Sequence, residues 1–272
     1  MFALLNRLSV RNRIWTIVAI FIGSIVLGSA IDVMMLRDAL HQEKESTIRQ
    51  LVENAHSQLT HYEALERKGI LSKEAAQTAA KDIIQNMRYN EKEYFWISNT
   101  EPVPKMLMHP IMPELNGQPL SDEKYNRVTS MRAGLEGPFI ATDGKKNLTL
   151  AFNELVAQSG HGYVTYHWQK AQMGGGSTEA TFPKLSYVKN FAPWGWVIGS
   201  GIYIDDIDSA VHARAIQSLF MLLGVSAALL LLAGVIARSI THPLRTTMLA
   251  MHDIAHGDAG LEQRVPIDAH SE

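Results

Sequence analysis

Cysteine is missing from this chain of 272 residues. Its absence excludes disulfide bonds, thiolate metal sites, c-type haem attachment and a cysteine nucleophile. An excess of positive charge is also missing: the formal net charge is −2, and without a basic cluster nucleic-acid binding is not predicted. Two apolar runs, 14–31 and 218–237, contain no Asp, Glu, Lys or Arg. As helices, they would each reach about 27–30 Å, enough to cross the hydrocarbon core of a membrane.

Basic residues flank both apolar runs on their outer sides. Arg7, Arg11 and Arg13 precede the first run, and Arg238 and Arg245 follow the second. The positive-inside rule therefore predicts that both termini are cytoplasmic and that the stretch between the runs is exported. A bacterial inner membrane with a periplasmic domain fits this topology. The alternative for the first run is a cleaved signal peptide, although the run is long for the apolar part of one.

The apolar runs divide the sequence into five segments. We predict a cytoplasmic N-terminus at 1–13, a first transmembrane helix at 14–31, a periplasmic domain at 32–217, a second transmembrane helix at 218–237 and a cytoplasmic segment at 238–272.

The exported segment begins with helix-forming sequence and continues with strands. Apolar residues recur at helical spacing from 33 to about 61 without Pro or Gly, and Ser72 is a plausible N-cap for a second helix ending near Met87. Alternating aromatic and β-branched residues then predict strands at 94–97, 103–109, 162–168, 184–191 and 194–204, with a helix at 143–159. Strands grouped in an antiparallel sheet with helices packed against it make an α+β fold.

Four blocks of the exported segment resemble a known family. They are YFWI at 94–97, MLMHP at 106–110, GYVTYHW at 162–168, and KLSYVKNF at 184–191 followed by WGWVIGSGIYIDDI at 194–207. Together they are similar to the single-Cache sensor domains of bacterial receptors. The resemblance implies a PAS-like antiparallel sheet with a long N-terminal helix, and it covers most of the exported segment. It departs at 120–146, which is longer than a minimal member requires, so the lid of the cavity is not predicted.

The segment after the second run resembles the first half of a HAMP linker. Pro243 follows the membrane exit, and apolar positions at Ile240, Leu244, Thr247, Met251 and Ile254 form a heptad seam. Gly260-Leu261 and Val265 then fit the pattern of the HAMP connector. HAMP segments are parallel four-helix bundles, so the resemblance implies a homodimer. It also implies an output module after Glu272.

Candidate binding residues follow from side-chain chemistry and from the resemblance. Strand alternation places Tyr94 with Trp96, Lys184 with Ser186, and Tyr187 with Lys189. Members of the resembled family bind small organic acids, which implies pocket residues at Arg88, Tyr94, Trp96, His109, Tyr166, Trp168, Lys184 and Tyr187. We expect Lys184 and His109 to neutralise the carboxylate.

Each charged candidate has a structural alternative. Lys184 could equally be a surface lysine, Arg88 could be a partner for a helix C-terminus, and His109 could be a strand-end residue bonded to backbone. A metal site is not predicted, because His56 and His61 are five residues apart and not four, and no cofactor is predicted.

The predicted function is a homodimeric transmembrane receptor that binds an organic acid and signals through the second span and the HAMP segment to cytoplasmic proteins. A chemotaxis transducer is preferred, and a sensor histidine kinase or a diguanylate cyclase or phosphodiesterase would use the same front end. A periplasmic enzyme anchored by its ends is disfavoured, because no catalytic acid–base pair stands out. Such an enzyme would also have no need for a HAMP-like helical bundle in the cytoplasm. We therefore do not predict an enzyme.

Overall fold

A computed structural model of the chain describes residues 9–90, 93–172 and 176–255. It divides into two compact units, one of residues 36–211 and one whose described parts are 9–35 and 212–255. The helices are α1 (Val10–Arg67), α2 (Lys73–Asn86), α3 (Leu148–Ser159) and α4 (Asp205–Ala255). The strands are β1 (Arg88–Tyr89), β2 (Glu93–Asn99), β3 (Met106–Met108), β4 (Asn126–Ala133), β5 (Ile140–Asn147), β6 (His161–Ala171), β7 (Ser177–Phe191) and β8 (Trp196–Tyr203).

Two helices are long and apolar enough to cross a membrane, and they contain the two apolar runs. Their apolar side chains have little protein cover: Phe220 is 70% exposed and Leu231 is 74% exposed. A continuous exposed apolar surface of this kind is what a lipid-facing helix presents. Asp32 and Arg214 form an ion pair of 2.9 Å in this unit.

Helix α4 continues through Pro243 to Ala255. The segment that follows the second apolar run is therefore helical as far as Ala255. The predicted connector, from residue 256 onward, lies outside the described residues.

The unit of residues 36–211 is built around one antiparallel sheet. The strand order is β1-β2-β8-β7-β6-β4-β5, and β3 also pairs with β2. All of its strand pairs are antiparallel, so the predicted α+β fold with a long N-terminal helix is confirmed.

Helices cover both faces of this sheet. On α1, the apolar stripe Ile48, Val52, Ala55 and Leu59 is fully buried. Its spacing of four, three and four residues keeps these side chains on one face of the helix. They join a cluster with Phe95, Ile97, Tyr187 and Ile198 of the sheet. The alternate residues of the same strands, including Tyr94, Trp96 and Val188, pack on the opposite face with α3.

The stretch 120–146 differs from the sequence-based expectation. It contains β4 and β5, which pair with each other and extend the sheet beyond β6. The helix predicted to start at 143 begins at Leu148, because Gly144 adopts a positive φ of 76° within the strand. Asn147 then caps the helix by accepting hydrogen bonds from the backbone N–H of Thr149 and Leu150.

Other strand boundaries also move, and the largest change is in β7, which begins at Ser177 and not at 184. Strand β3 is confined to Met106–Met108, shorter than the predicted 103–109, because Pro104 cannot donate a ladder hydrogen bond. Strand β8 begins at Trp196 and not at 194, because a 3-10 turn over Ala192–Trp194 ends at Gly195 with a φ of 63°.

Candidate ligand-binding site

An aromatic cavity lies between the sheet and α3. It is lined by Tyr94, Trp96, Met106, His109, Leu115, Leu120, Tyr125, Leu148, Thr149, Phe152, Tyr166 and Trp168. Its volume is about 30 Å³, which is room for a water molecule or two. Ligand pockets typically measure about 300–1,000 Å³, so only a very short ligand could enter without large movements of the walls.

The connection from β3 to β4 closes one side of the aromatic cavity with Leu115, Leu120 and Tyr125. Backbone hydrogen bonds join it to the chain around β3, from the N–H of Gly117 to the Met106 carbonyl (2.7 Å) and from the N–H of Leu120 to the Pro104 carbonyl (2.8 Å). The backbone carbonyl of Leu120 accepts hydrogen bonds from Asn147 Nδ2 (3.1 Å) and Thr149 Oγ1 (3.2 Å). These two bonds also tie this closing segment to the start of α3, which forms another wall of the cavity.

His109 is held in one orientation by its own loop. Its Nδ1 accepts hydrogen bonds from the backbone N–H of Ile111 (3.3 Å) and Met112 (2.9 Å). Burial, followed by the positive charge of Lys184, lowers the pKa of His109 to about 3. The ring is therefore neutral near pH 7, and because Nδ1 is an acceptor, Nε2 carries the proton and is the available donor.

Lys184 is a buried ammonium that lies against Tyr94, outside the lining of the aromatic cavity, and its side chain is 1% exposed. Its Nζ lies 4.7 Å from the ring centroid of Tyr94 and 4.6 Å from that of Tyr203, a cation–π arrangement on two sides. Glu93 Oε2 lies 3.8 Å away, beyond hydrogen-bond distance. Burial lowers the pKa of Lys184 to about 8, and the negative charge of Glu93 opposes this shift.

The same electrostatics act on Glu93. Burial raises the pKa of this carboxyl group above its usual value, and the charge of Lys184 works in the opposite direction. Its Oε2 is buried without a hydrogen-bond partner. Lys184 and Glu93 therefore interact through their charges, without a hydrogen bond from Nζ to Oε2.

Glycine at position 201 makes room for the lysine. A Cβ built on Gly201 would lie 2.2 Å from Ser186 Oγ and 2.8 Å from Lys184 Cε. Ser186 Oγ in turn shares a hydrogen bond of 2.9 Å with the hydroxyl of Tyr166. The absence of a side chain on β8 thus allows Lys184 and the polar edge of the cavity to pack together.

A second, larger space of about 700 Å³ lies beyond Lys184, and we call it the polar groove. Its wall includes Glu93 and Tyr203, together with charged residues that are already paired. Lys44 contacts Asp206 at 2.6 Å, and Lys170 contacts both carboxylate oxygens of Asp205 at 2.7 and 3.0 Å. Both aspartates belong to the first turn of α4, where negative charge is favourable.

Five of the eight predicted pocket residues line the aromatic cavity. They are Tyr94, Trp96, His109, Tyr166 and Trp168. Lys184 does not line it but lies against Tyr94.

The remaining two predicted residues lie elsewhere. Tyr187 packs on Tyr163 on the opposite face of the sheet, with ring centroids 4.8 Å apart. Arg88 is exposed and donates to the backbone carbonyls of Gln85 (2.6 Å) and Met87 (2.8 Å), so it satisfies the C-terminal end of α2.

Several lining residues were not predicted from the sequence. Leu115 and Tyr125 end short 3-10 helices and Leu120 lies in the loop between them, where no periodicity marks a buried face; Phe152 comes from α3. Glu93 was missed although it directly precedes Tyr94. Within the described ranges, no three His, Asp or Glu side chains are grouped to hold a metal ion.

The sheet with helices on both faces defines a domain of the α+β class, with a buried cation beside its aromatic cavity. The profile described as "Cache domain" (dCache_2) matches residues 28–221. This chain belongs to the Cache domain family. In its described part the matched region contains one antiparallel sheet, as expected for a single module.

Three known proteins are similar to this chain. The methyl-accepting chemotaxis protein McpP of Pseudomonas putida is 36% identical over 271 residues, a match that covers 98% of this chain and 44% of McpP. A solved periplasmic sensor domain of a chemotaxis protein is 36% identical, with a TM-score of 0.48, over 61% of this chain and 98% of that one. A solved Cache chemosensory domain, described for its carboxylic acid recognition, is 35% identical, with a TM-score of 0.48, over 62% of this chain and 98% of that one. The chain thus spans less than half the length of McpP.

Proposed function

We propose that this chain is the sensory part of a chemotaxis receptor and that its Cache domain binds a short monocarboxylate in the aromatic cavity. The observation that carries the proposal is Lys184, an ammonium buried against Tyr94, which lines that cavity. A buried charge is costly unless an opposite charge compensates it, and Glu93 compensates it only at 3.8 Å. A carboxylate in the cavity would supply a second partner in a medium of low dielectric constant, where the attraction is strong.

The surroundings of Lys184 favour one negative charge and a short apolar tail. The walls opposite the ammonium are mostly aromatic and aliphatic, for example Trp96, Leu120 and Phe152. A second carboxylate on the ligand would therefore be buried against apolar groups. The volume of the cavity is about 30 Å³, so even an acid of a few carbon atoms requires the walls to move apart, and larger ligands require more movement.

Neutral donors would complete the site. His109 carries its proton on Nε2, and the hydroxyl of Tyr166 lies at the same wall. Both can donate hydrogen bonds to a carboxylate oxygen without adding charge. We propose that Tyr94, Trp96 and Trp168 form the apolar and aromatic contacts. Arg88 and Tyr187 are not part of this proposal because they lie away from the cavity.

The charge requirement is tested with a matched pair of ligands on the full 272-residue chain in detergent. Propionate is expected to raise the unfolding midpoint, and propionamide, which has nearly the same shape but no charge, is not. At about 100 times its dissociation constant, a ligand stabilises the folded state by about 2.7 kcal/mol. Equal stabilisation by both compounds, or stabilisation by succinate alone, would contradict the monocarboxylate assignment.

We further propose that α1 and α4 cross the inner membrane, that both termini are cytoplasmic and that residues 238–272 are the start of a HAMP linker in a homodimer. The basic residues outside the apolar runs support the orientation. The similarity to McpP runs through nearly the whole chain, spans and tail included, and supports a chemotaxis output over a kinase.

The orientation is tested with a single introduced thiol, because the chain has no cysteine. Ser57 is exposed on α1 within the predicted periplasmic segment. The chain with Ser57→Cys is expected to react with a membrane-impermeant maleimide in intact cells and to have the mass of two chains in detergent. Protection of the thiol until the cells are lysed would exclude the proposed orientation, and a single-chain mass would exclude the dimer.

A further inference from the structure

We propose that Glu93 is an internal competitor for Lys184. A bound carboxylate would displace it from the ammonium, and the displaced Glu93 would turn toward the lysines that hold the first turn of α4. This inference rests on the proposed function, because it names the residue that sets the affinity of that site and the ion pairs that respond to it.

The geometry places Lys184 between two spaces. The ring of Tyr94 lines the aromatic cavity and the ring of Tyr203 lines the polar groove, and the ammonium lies 4.7 and 4.6 Å from their centroids. Glu93 belongs to the wall of the polar groove. It therefore approaches Lys184 from the side opposite to the proposed ligand.

The contact between Glu93 and Lys184 has the properties of a displaceable pair. The two charged atoms are 3.8 Å apart, and Glu93 Oε2 is buried without a hydrogen bond. An ammonium shared by two carboxylates binds each of them less strongly, because the two negative charges repel each other. Glu93 therefore lowers the affinity of the site for any anion, and a bound anion weakens the hold of Lys184 on Glu93.

The polar groove offers Glu93 other partners. Lys170 and Lys44 line the same groove, and their positive charges act on the Glu93 carboxyl group. In the structure these lysines bind Asp205 and Asp206. A Glu93 carboxylate released into the groove would compete with those aspartates, which begin α4. Occupation of the cavity would thus change the ion pairs at the start of the helix that contains the second apolar run.

The test measures propionate affinity by calorimetry on the full chain in detergent. Glu93→Gln removes the competing charge with little change in shape, and it is expected to lower the dissociation constant about fivefold or more, the range of ordinary coupling between sites. The matched control is Glu154→Gln. Glu154 is on α3 and its carboxylate pairs with Lys146, so this variant should leave the propionate affinity unchanged. An unchanged or weaker affinity in Glu93→Gln would overturn the proposal.

A second variant tests the link to α4 without touching Glu93. Asp205→Asn removes the negative charge that pairs with Lys170. Lys170 is then a better alternative partner for Glu93. Because coupling between two sites is reciprocal, Asp205→Asn should also tighten propionate binding. When Glu93→Gln is already present, Asp205→Asn should change the propionate affinity little further. If Asp205→Asn changes the propionate affinity equally in the wild type and in Glu93→Gln, the proposed coupling between Glu93 and α4 is wrong. If the wild-type chain binds no propionate, the proposed function fails and this inference falls with it; if it binds and neither variant changes the affinity, only the inference fails.

Discussion

Replacing Lys184 with methionine is expected to abolish propionate binding and to lower the stability of the unliganded chain. Methionine keeps the apolar stem that packs beside Gly201 but removes the charge. Removing one member of a buried ion pair is destabilising because the other charge is left unpaired, and here Glu93 loses its partner at 3.8 Å.

The measurement pairs propionate calorimetry with a thermal midpoint for each variant. Lys189→Met is the matched control, because Lys189 is on the same strand and alternation places it on the opposite face, with Tyr187. It should bind propionate as the wild type does. Retained binding in Lys184→Met would show that the ammonium is not the counter-ion.

Acid is expected to destabilise the domain through His109. The pKa of this ring is about 3 in the folded chain and near 6.5 when it is unfolded. As the pH falls below 6.5, the unfolded chain therefore gains a proton that the folded chain does not bind, and stability is lost until the pH reaches about 3. By pH 4 this amounts to about 3 kcal/mol. Protonation of Nδ1 would also break the bonds from Ile111 and Met112.

His109→Asn separates this effect from other titrations. The Oδ1 of asparagine can accept the same two backbone hydrogen bonds, and it does not titrate. The variant should lose less stability between pH 7 and pH 4 than the wild type, by about 3 kcal/mol, in urea unfolding. His167→Asn, at an exposed position on β6, should behave as the wild type. If His109→Asn loses as much stability as the wild type, His109 does not set the acid sensitivity.

Strand alternation predicted which side chains share a face but not which face contains the cavity. It correctly grouped Tyr94 with Trp96, and Tyr187 with Lys189. Tyr187 nevertheless entered the candidate set, because nothing in the alternation says which face α1 covers. That face is decided by the packing of the buried stripe of α1 on the sheet, a long-range contact with no local signal.

The sequence did not predict the segment that closes the cavity or the strands β4 and β5, for a different reason. On β4 the buried residues are Val128 and Met131, three apart, because the pairing shifts register between Val128 and Ser130. This spacing hides the period of two that identifies a strand. Leu115 and Leu120 follow no period at all, and hydrogen bonds to Asn147 and Thr149 place the chain at Leu120.

Gly201 has a consequence for how such a receptor can acquire new ligands. Any larger side chain there would enter the volume of Lys184 and Ser186. Gly201 is also only four residues ahead of Asp205, and Ile204 alone separates β8 from α4. A substitution that reshapes the cavity at this point therefore also strains the strand that leads into α4. At this position, the surroundings of Lys184 and the junction between β8 and α4 therefore cannot be changed independently.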